Sequence, residues 1–343
     1  ANANPLTSNS LGFTLSLGTP APALVLDYDS GFSASDGLTN SGQVNVTGLV
    51  GSTWEYQMDG GAWLAGTGKS FALTTGIHTY NVRQTYLTET ATASTAVTYN
   101  YDIVGPSAPS LALASDTGTS ASDNITNNPT INVVGLEAAA GTSWSYRVDG
   151  GLWVYGSGAS FTALSGKHTY AVGQTDAAGN PSPISLTSTV ITLDALAPTL
   201  NTTTFNFAEN GTAVAAALTA NSNVTDVSEP TTVTWAIASG ADGSFFNIDA
   251  GTGAVTFKSA PNFEMPRGLA FNAASNSNAY TVNVTATDVA GNVKAQAIMV
   301  NVTDVNERPV LGTNTANTTA VVAQNFILNV STAFSDPDNE TNS

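Results

Sequence analysis

Acidic side chains gather where an alternating strand pattern ends. The segment Asp304-Val305-Asn306-Glu307-Arg308-Pro309 follows apolar residues at alternate positions of 298–302, and proline stops a β-ladder. A second acidic pair lies in Asp336-Pro337-Asp338, and Glu209 and Glu264 lie upstream. Clustered carboxylates repel one another unless a cation lies among them. The hard cation that accepts about six to eight oxygen ligands in irregular geometry is Ca²⁺, so this pattern predicts a Ca²⁺-bound hinge between two β-domains.

The composition indicates a globular chain of several domains. The 343 residues are enough for roughly two to four domains, and 42% hydrophobic residues with 31 Gly and 14 Pro are typical of folded protein. The absence of Cys excludes disulfides, cysteine zinc sites and thiol nucleophiles. The two histidines, His78 and His168, leave little for a zinc or acid–base site.

The charge of the chain limits its partners. Eight Lys and Arg against 25 Asp and Glu give a formal charge of −17, which repels nucleic acid and anionic membranes. No apolar run reaches the roughly 18 residues needed to span a bilayer. We therefore expect no nucleic-acid partner and no direct membrane insertion, and the low lysine content is typical of a secreted surface.

An internal repeat with a period of about 90 residues marks a tandem array. Three pairs of segments match between the two copies: 29–40 with 116–127, 53–63 with 143–153, and 78–80 with 168–170. Two homologous domains are therefore predicted.

Strand and turn patterns within the repeats predict β-structure. Trp54, Tyr56 and Met58 alternate with polar residues and end in an Asp-Gly-Gly turn, as do the matching residues 144–148. Such a turn adopts the positive φ that a tight hairpin requires. Strands are short, turns are frequent and no helix of about a dozen residues is predicted. The predicted fold class is all-β, with tandem β-sandwich domains in an extended rod.

Proline-rich connections and changes in the sequence motifs give the predicted domain boundaries. Residues 1–20 form the last strand or linker of a preceding domain, with apolar residues on one face of 11–17. The remaining predicted domains are the first repeat (21–104), the second repeat (105–196), a third sandwich of a different family (197–308), and the start of a truncated following domain (309–343), whose strand alternates over 326–330.

The third domain resembles a cadherin-like domain over its whole length. The motifs that carry the resemblance are Ala208-Glu209-Asn210-Gly211, Phe246-Asn247-Ile248-Asp249 with Ala250-Gly251-Thr252-Gly253, Asn262-Phe263-Glu264, Ala286-Thr287-Asp288 and Asp304-Val305-Asn306-Glu307. The resemblance implies that Ca²⁺ is bound at the junction by Glu209, Glu264, Asp304, Asn306, Glu307, Asp336 and Asp338. Three residues depart from the family pattern, namely Asn262, Glu307 and Arg308. Because a guanidinium brings positive charge and only donates hydrogen bonds, we expect fewer ions than in a full cadherin linker.

The two repeats resemble the Ig-like repeats of large bacterial surface adhesins of the biofilm-associated and RTX type. The shared motifs are the Asp-x-Gly-x-Ser loop, the Trp-x-Tyr hairpin and the turn Gln174-Thr175-Asp176-Ala177-Ala178-Gly179-Asn180. The first repeat has Gln84-Thr85-Tyr86-Leu87-Thr88 there, so its Ca²⁺ ligand is lost. The resemblance implies Asp176 and Asn180 as ligands. It also leads us to expect Asp102 near Asp116 and Asp123 at the first junction, and Asp194 near Asp226 and Asp288 at the second.

Several aromatic residues allow two interpretations. Trp63, Trp153 and Tyr155 follow the Gly-Gly turns and could stack on sugars, but sheet-stabilising aromatic pairs are the favoured interpretation. Trp54 and Trp144 are predicted to face the core. No Gly-x-Ser-x-Gly, phosphate loop or His-x-x-x-His motif occurs, and we predict that the chain is not an enzyme.

Together these patterns predict a monomeric, extracellular segment of a bacterial cell-surface adhesin, stiffened by Ca²⁺ and used in cell adhesion or biofilm formation. Its expected partners are neighbouring domains of the same long chain. Two alternatives remain open. One is a module that itself binds a host or surface glycan or peptide, and the other is a set of accessory β-domains of a secreted polysaccharide-degrading enzyme.

Overall fold

The computed structural model describes residues 19–50, 53–86, 89–91, 93–184, 188–200, 203–211, 214–218, 220–221, 232–267, 278–311, 321–322, 325 and 334–338. Across these ranges the regular elements are β-strands, apart from one 3-10 turn at Gly243–Phe245. The chain is all-β and consists of tandem β-sandwich domains, as the alternation predicted. The same ranges contain no helix long and apolar enough to cross a membrane. The predicted strands at 11–17 and 326–330, and Asp226, lie outside the described residues.

The chain divides into two compact units. The first consists of Ala1–Ala112, Ile131–Phe161 and Thr169–Thr189, and the second of Leu113–Thr130, Thr162–His168 and Val190–Ser343. The division passes through the second repeat.

The first repeat lies wholly in the first unit and contains two sheets. Strands β1, β3 and β6 form one sheet, and β2, β9, β7, β4 and β5 form the other, with β8 paired to β7. Most pairs are antiparallel, while β2 and β9 are parallel. The strands are β1 (Ala23–Leu26), β2 (Leu38–Thr39), β3 (Gln43–Thr47), β4 (Thr53–Met58), β5 (Leu64–Ala65), β6 (Ser70–Ala72), β7 (Gly76–Tyr86), β8 (Glu89–Thr90) and β9 (Val97–Tyr101).

The β4–β5 hairpin has the geometry that its sequence predicted. Asp59 and Gly60 both have positive φ, at 51° and 70°, which is the backbone of a tight hairpin turn. The hairpin places Trp54 in the core with Phe71 and Tyr80, and Tyr56 stacks on Phe71 with ring centroids 4.3 Å apart. Alternation along β4 thus sends its aromatic side chains to the inner face.

The second repeat repeats this hairpin within the first unit. Its strands are β10 (Ser110–Leu113), β11 (Ile125–Thr126), β12 (Thr130–Val134), β13 (Ser143–Val148), β14 (Val154–Tyr155), β15 (Ser160–Thr162), β16 (Gly166–Thr175) and β17 (Thr189–Leu193). Strand β13 pairs antiparallel with both β14 and β16. Trp144 is buried with Val133 and Val172, as predicted for a core-facing tryptophan.

The third domain lies in the second unit. Its main sheet has the order β19, β26, β25, β22, in which β19 and β26 are parallel, and β20, β24 and β23 form a second sheet. The strands are β18 (Thr199–Leu200), β19 (Thr204–Ala208), β20 (Val214–Ala217), β21 (Ala220–Asn221), β22 (Thr234–Ile237), β23 (Phe246–Ile248), β24 (Ala254–Phe257), β25 (Ala279–Thr287) and β26 (Val293–Thr303).

The core of the third domain follows the predicted alternation. Alternate residues of β25 and β26 are almost fully buried, and they pack on Trp235, Phe246 and Phe257. The buried residues of the two strands are Tyr280, Val282, Val284, Ala286, Ile298, Val300 and Val302. Beyond β26, the short strands β27 (Val310–Leu311) and β28 (Phe334–Ser335) pair antiparallel. This pairing brings the tail back to the end of the third domain.

Candidate metal centre and domain junctions

Glu209 connects three segments at the end of the third domain. It follows β19 directly, and its side chain is buried. The Oε2 atom accepts a hydrogen bond from the backbone N–H of Phe263 at 2.7 Å, and Oε1 accepts one from Val305 at 2.9 Å. A buried carboxylate is therefore fixed between the strand, the 261–264 loop and the linker after β26.

Three further carboxylates surround Glu209. Glu264, Glu307 and Asp338 each place an oxygen so that these atoms and one from Glu209 all lie within 4.8 Å of one another. The Glu307 N–H donates to Asp338 Oδ2 at 2.5 Å, and the Asp338 N–H donates to Asp336 Oδ1 at 3.1 Å. The β27–β28 pair carries residues 336–338 to this place. We call these four carboxylates the linker cluster.

Several buried oxygens around the linker cluster have no hydrogen-bond partner among the described residues. They are Oε2 of Glu264, Oε2 of Glu307, Oδ1 of Asp338 and Oδ1 of Asn262. A buried polar oxygen without a donor is costly, and a charged one more so. Carboxylate and amide oxygens are the donor set of hard divalent cations, so the residues present fit Ca²⁺.

The pKa values of Glu264, Asp304 and Glu307 are raised in and beside the linker cluster. Burial raises the pKa of Glu264, and the charges of Glu209, Asp304 and Asp338 raise it further. The pKa of Asp304 is raised by burial and by Asp338 and Glu209. For Glu307 the largest influence, a hydrogen bond from the Asn210 amide, lowers the pKa, but the contact with Asp338, burial and neighbouring charges raise it overall. The cluster therefore carries more negative charge than its protein surroundings balance.

The linker residues predicted as ligands differ in their placement. Asp304 lies close enough to Glu209 and Asp338 for their charges to raise its pKa. The side chain of Asp336 forms a turn by accepting the backbone N–H of Asp338. Asn306 is exposed on the same linker. Asn262, which the sequence marked only as a departure, contributes one of the unsatisfied oxygens.

The turn 176–180 and the loop 29–40 form a junction within the first unit. Asn180 donates from Nδ2 to Asp102 O at 2.9 Å and to Asp176 Oδ2 at 3.0 Å. Ser30 Oγ donates to Ala178 O at 2.8 Å. Oδ1 of Asp29 is buried and has no partner among the described residues. The end of the first repeat is thus joined to the turn of the second.

The same junction recurs within the second unit. Asn292 Nδ2 donates to Asp194 O at 2.8 Å and to Asp288 Oδ2 at 3.1 Å, and Thr117 Oγ1 donates to Ala290 O at 2.7 Å. Oδ2 of Asp194 and Oδ1 of Asp116 are buried without a partner among the described residues. Burial raises the pKa of Asp194, a backbone donor at Leu196 lowers it, and the charge of Asp288 raises it.

Within each unit the predicted carboxylates contact turns that the sequence did not assign to them. The sequence grouped Asp102 with Asp116 and Asp123, but Asp102 contacts the 176–180 turn in the first unit. Asp116 and Asp123 lie in the second unit on the loop that contacts residues 289–290, where Asp123 Oδ1 accepts the Ile125 N–H at 3.0 Å. Each loop packs against the turn inside the next domain along the chain, because loop and turn are complementary in shape.

Asp29 and Asn292 were missed as site residues. A signal for Asn292 was present, because Asp288-Val289-Ala290-Gly291-Asn292 has the same form as Asp176-Ala177-Ala178-Gly179-Asn180. Asp29 matches Asp116 in the internal repeat. The predicted pair Asp194 and Asp288 is brought together, and Asp226 lies outside the described residues.

Comparison with known proteins finds a family match in the middle of the chain. The strand pairings give tandem β-sandwiches, and residues 103–194 match the family described as bacterial Ig-like domain. No protein of curated function matches the sequence.

Solved structures similar to the chain include cadherin ectodomains. The protocadherin gammaB7 EC3-6 cis-dimer structure has 15% identity and a TM-score of 0.29, over 87% of this chain and 77% of that one. Drosophila N-cadherin EC1-4 has 16% identity and a TM-score of 0.27, over 76% and 70%. Scores this low carry no argument about domain arrangement or function.

Proposed function

We propose that this chain is a non-catalytic, extracellular segment of a large bacterial cell-surface adhesin, in which Ca²⁺ at the domain junctions stiffens the chain and extends ligand-binding domains from the cell. The observation that carries the proposal is the linker cluster. Four carboxylates from separate segments converge within 4.8 Å, and three of them have a buried oxygen without a donor among the described residues.

The energetics favour a cation at this place. Two unit charges about 4 Å apart cost about 1 kcal/mol in water and about 4 kcal/mol at a protein surface. A divalent cation among the carboxylates replaces this repulsion with attraction and coordinates their oxygens. Glu209, Glu264, Glu307 and Asp338 would hold it, with Asp304, Asn306, Asp336 and Asn262 nearby.

Stiffening follows from linkage between binding and geometry. The cluster needs the end of β19, the 261–264 loop, the linker and residues 336–338 to be held together. An ion that binds only this arrangement stabilises it by about 2.7 kcal/mol at a hundredfold excess over Kd. The order of the linker would therefore follow the external Ca²⁺ concentration.

The two other junctions support the same proposal with fewer charges. Each combines an Asp-x-x-Gly-Asn turn with an acidic loop, and in the described part of the chain carboxylate oxygens of Asp29, Asp116 or Asp194 have no hydrogen-bond partner. We propose Asp102, Asp176 and Asn180 as ligands at the first. At the second we propose Asp194, Asp288, Asp116 and Asp123.

Small-angle X-ray scattering of the chain in millimolar Ca²⁺ and in excess chelator tests the proposal. We expect a fixed maximum dimension with Ca²⁺ and a broader, variable ensemble without it. The variant Asp338→Asn should shift the transition to higher Ca²⁺. Glu137→Gln removes one exposed charge outside the junctions and is the control. Superimposable profiles with and without Ca²⁺ would refute the stiffening role.

A further inference from the structure

A cleft of about 460 Å³ opens beside the β13–β14 hairpin of the second repeat. Two aromatic side chains border it and remain open to solvent, Trp153 at 39% and Tyr155 at 84% exposure. Ser145 and Gly173 share a cross-strand row with Tyr155, and the described residues that line the cleft are all uncharged. Exposed aromatic residues of this size beside a concave surface are typical of binding sites.

The first repeat fills the equivalent place with an ion pair. Both repeats have the same register, so the row Ala65–Glu55–Arg83 matches the row Tyr155–Ser145–Gly173. In the first repeat Arg83 Nη2 lies 2.6 Å from Glu55 Oε2, and the guanidinium lies 4.1 Å from the centre of the Trp63 ring. Neither member of that pair has a counterpart in the second repeat, and a tyrosine replaces the alanine.

The backbone does not require a glycine at position 173. Gly173 has no positive φ, and an added Cβ would meet only Ser182 Oγ and Trp153 Cη2, both at an ordinary 3.9 Å. A glycine inside a strand weakens the strand and often marks a place that a ligand approaches closely. The missing side chain therefore serves the open cleft rather than the fold of the strand.

We propose that this cleft binds a neutral saccharide. The exposed rings of Tyr155 and Trp153 offer flat apolar faces to the C–H face of a pyranose, while Ser143, Ser145 and Thr175 offer hydroxyl groups. The Arg147 guanidinium lies 5.0 Å from the Trp153 ring centre and holds that ring in place. An uncharged lining in a chain of charge −17 disfavours an anionic ligand. Thr175 and Pro181 of the cleft flank the 176–180 turn, so the cleft borders the first proposed Ca²⁺ junction.

The test is a binding titration of the full 343-residue chain in millimolar Ca²⁺. The probes are cellohexaose, maltohexaose, mannohexaose and chitohexaose, with polygalacturonate and a proline-rich decapeptide as other ligand classes. Binding is followed by tryptophan fluorescence and calorimetry. Tyr155→Ala introduces the residue of the first repeat, and the double variant Ser145→Glu with Gly173→Arg rebuilds its ion pair. Tyr28→Ala removes an exposed tyrosine of the first repeat and is the control.

We expect at least one neutral hexasaccharide to bind saturably, and Tyr155→Ala to weaken that binding roughly tenfold. The double variant should abolish binding, while Tyr28→Ala should leave it unchanged. Circular dichroism checks the fold of each variant. If the double variant does not fold, the test rests on Tyr155→Ala alone. The proposal is overturned if no neutral hexasaccharide binds at about 10 mM, if Tyr155→Ala binds as tightly as the parent, or if only the decapeptide or polygalacturonate binds.

Discussion

Replacing one acid of the linker cluster should have opposite effects with and without Ca²⁺. Glu264→Gln keeps the size of the side chain and removes its charge. The ligand oxygens of Glu264 and Glu209 lie within 4.8 Å, a distance at which two charges repel by about 0.9 kcal/mol in water and about 3.5 kcal/mol at an effective dielectric constant of 20. Because Glu264 is partly exposed, the smaller figure applies.

In excess chelator we therefore expect Glu264→Gln to stabilise the third domain by about 1 kcal/mol, or about 4 °C in Tm for a domain of this size. In millimolar Ca²⁺ the variant should instead be less stable than the parent chain, since each tenfold loss of Ca²⁺ affinity removes about 1.4 kcal/mol of ion-dependent stabilisation. Differential scanning calorimetry under both conditions measures the two shifts.

The control variant Glu137→Gln removes an exposed carboxylate away from the cluster, so its Tm should change little under either condition. If Glu264→Gln lowers Tm in chelator as well, the side chain acts as a structural acceptor and the repulsion argument is wrong. If Ca²⁺ leaves the Tm of the parent chain unchanged, the cluster does not bind the ion.

Three further predictions concern single sites. The hydrogen bond between His78 Nδ1 and Asp59 at 2.7 Å raises the pKa of His78, while the pKa of Asp59 is lowered by the Thr79 N–H and by His78. The His78 contribution should therefore be complete below pH 6.5 and be lost as pH rises through the raised pKa of His78, while the Asp59 contribution should be lost as pH falls from 3.8 through the lowered pKa of Asp59. An NMR titration should show the pKa of His78 falling in Asp59→Asn and would contradict this if it stayed raised. Gly118→Ala should destabilise the second unit by more than about 1 kcal/mol in chemical denaturation, because the φ of Gly118 is +95° and an added Cβ would lie 2.0 Å from Val289 O. The control variant Gly68→Ala should cost less, because Gly68 also has a positive φ but an added Cβ there would enter open space. In chelator, the stability of the fold should fall as pH rises through the raised pKa of Asp194, because burial disfavours the charged carboxylate. Asp194→Asn should remove this pH dependence. If the variant keeps the pH profile of the parent chain, Asp194 is not the group responsible.

Local chemistry accounts for the parts of the fold that the sequence predicted. The alternation of Val282 and Val284 decided which face of β25 is buried, since successive side chains of a strand point to opposite faces. The turn at Asp59 and Gly60 needs positive φ, which these residue types tolerate. Carboxylates that flank a proline stop indicated an acidic junction, and the linker cluster lies there.

Contacts between distant segments decided the rest. The contact of Asp102 with the 176–180 turn was not predicted, because spacing along a chain does not say which loop and turn are complementary in shape. Gly118 must likewise approach Val289 O, and only the folded backbones reveal that fit. Asn262 contributes an unsatisfied oxygen through its position beside buried carboxylates rather than through its own residue type. The sequence likewise contains Gly173 and Tyr155 as separate letters. The pairing of three strands places these two residues in one row. An open cleft lies there, whereas the first repeat has Arg83 and Glu55 at the equivalent positions. Strand register depends on the whole sheet, and it determines which side chains share a surface.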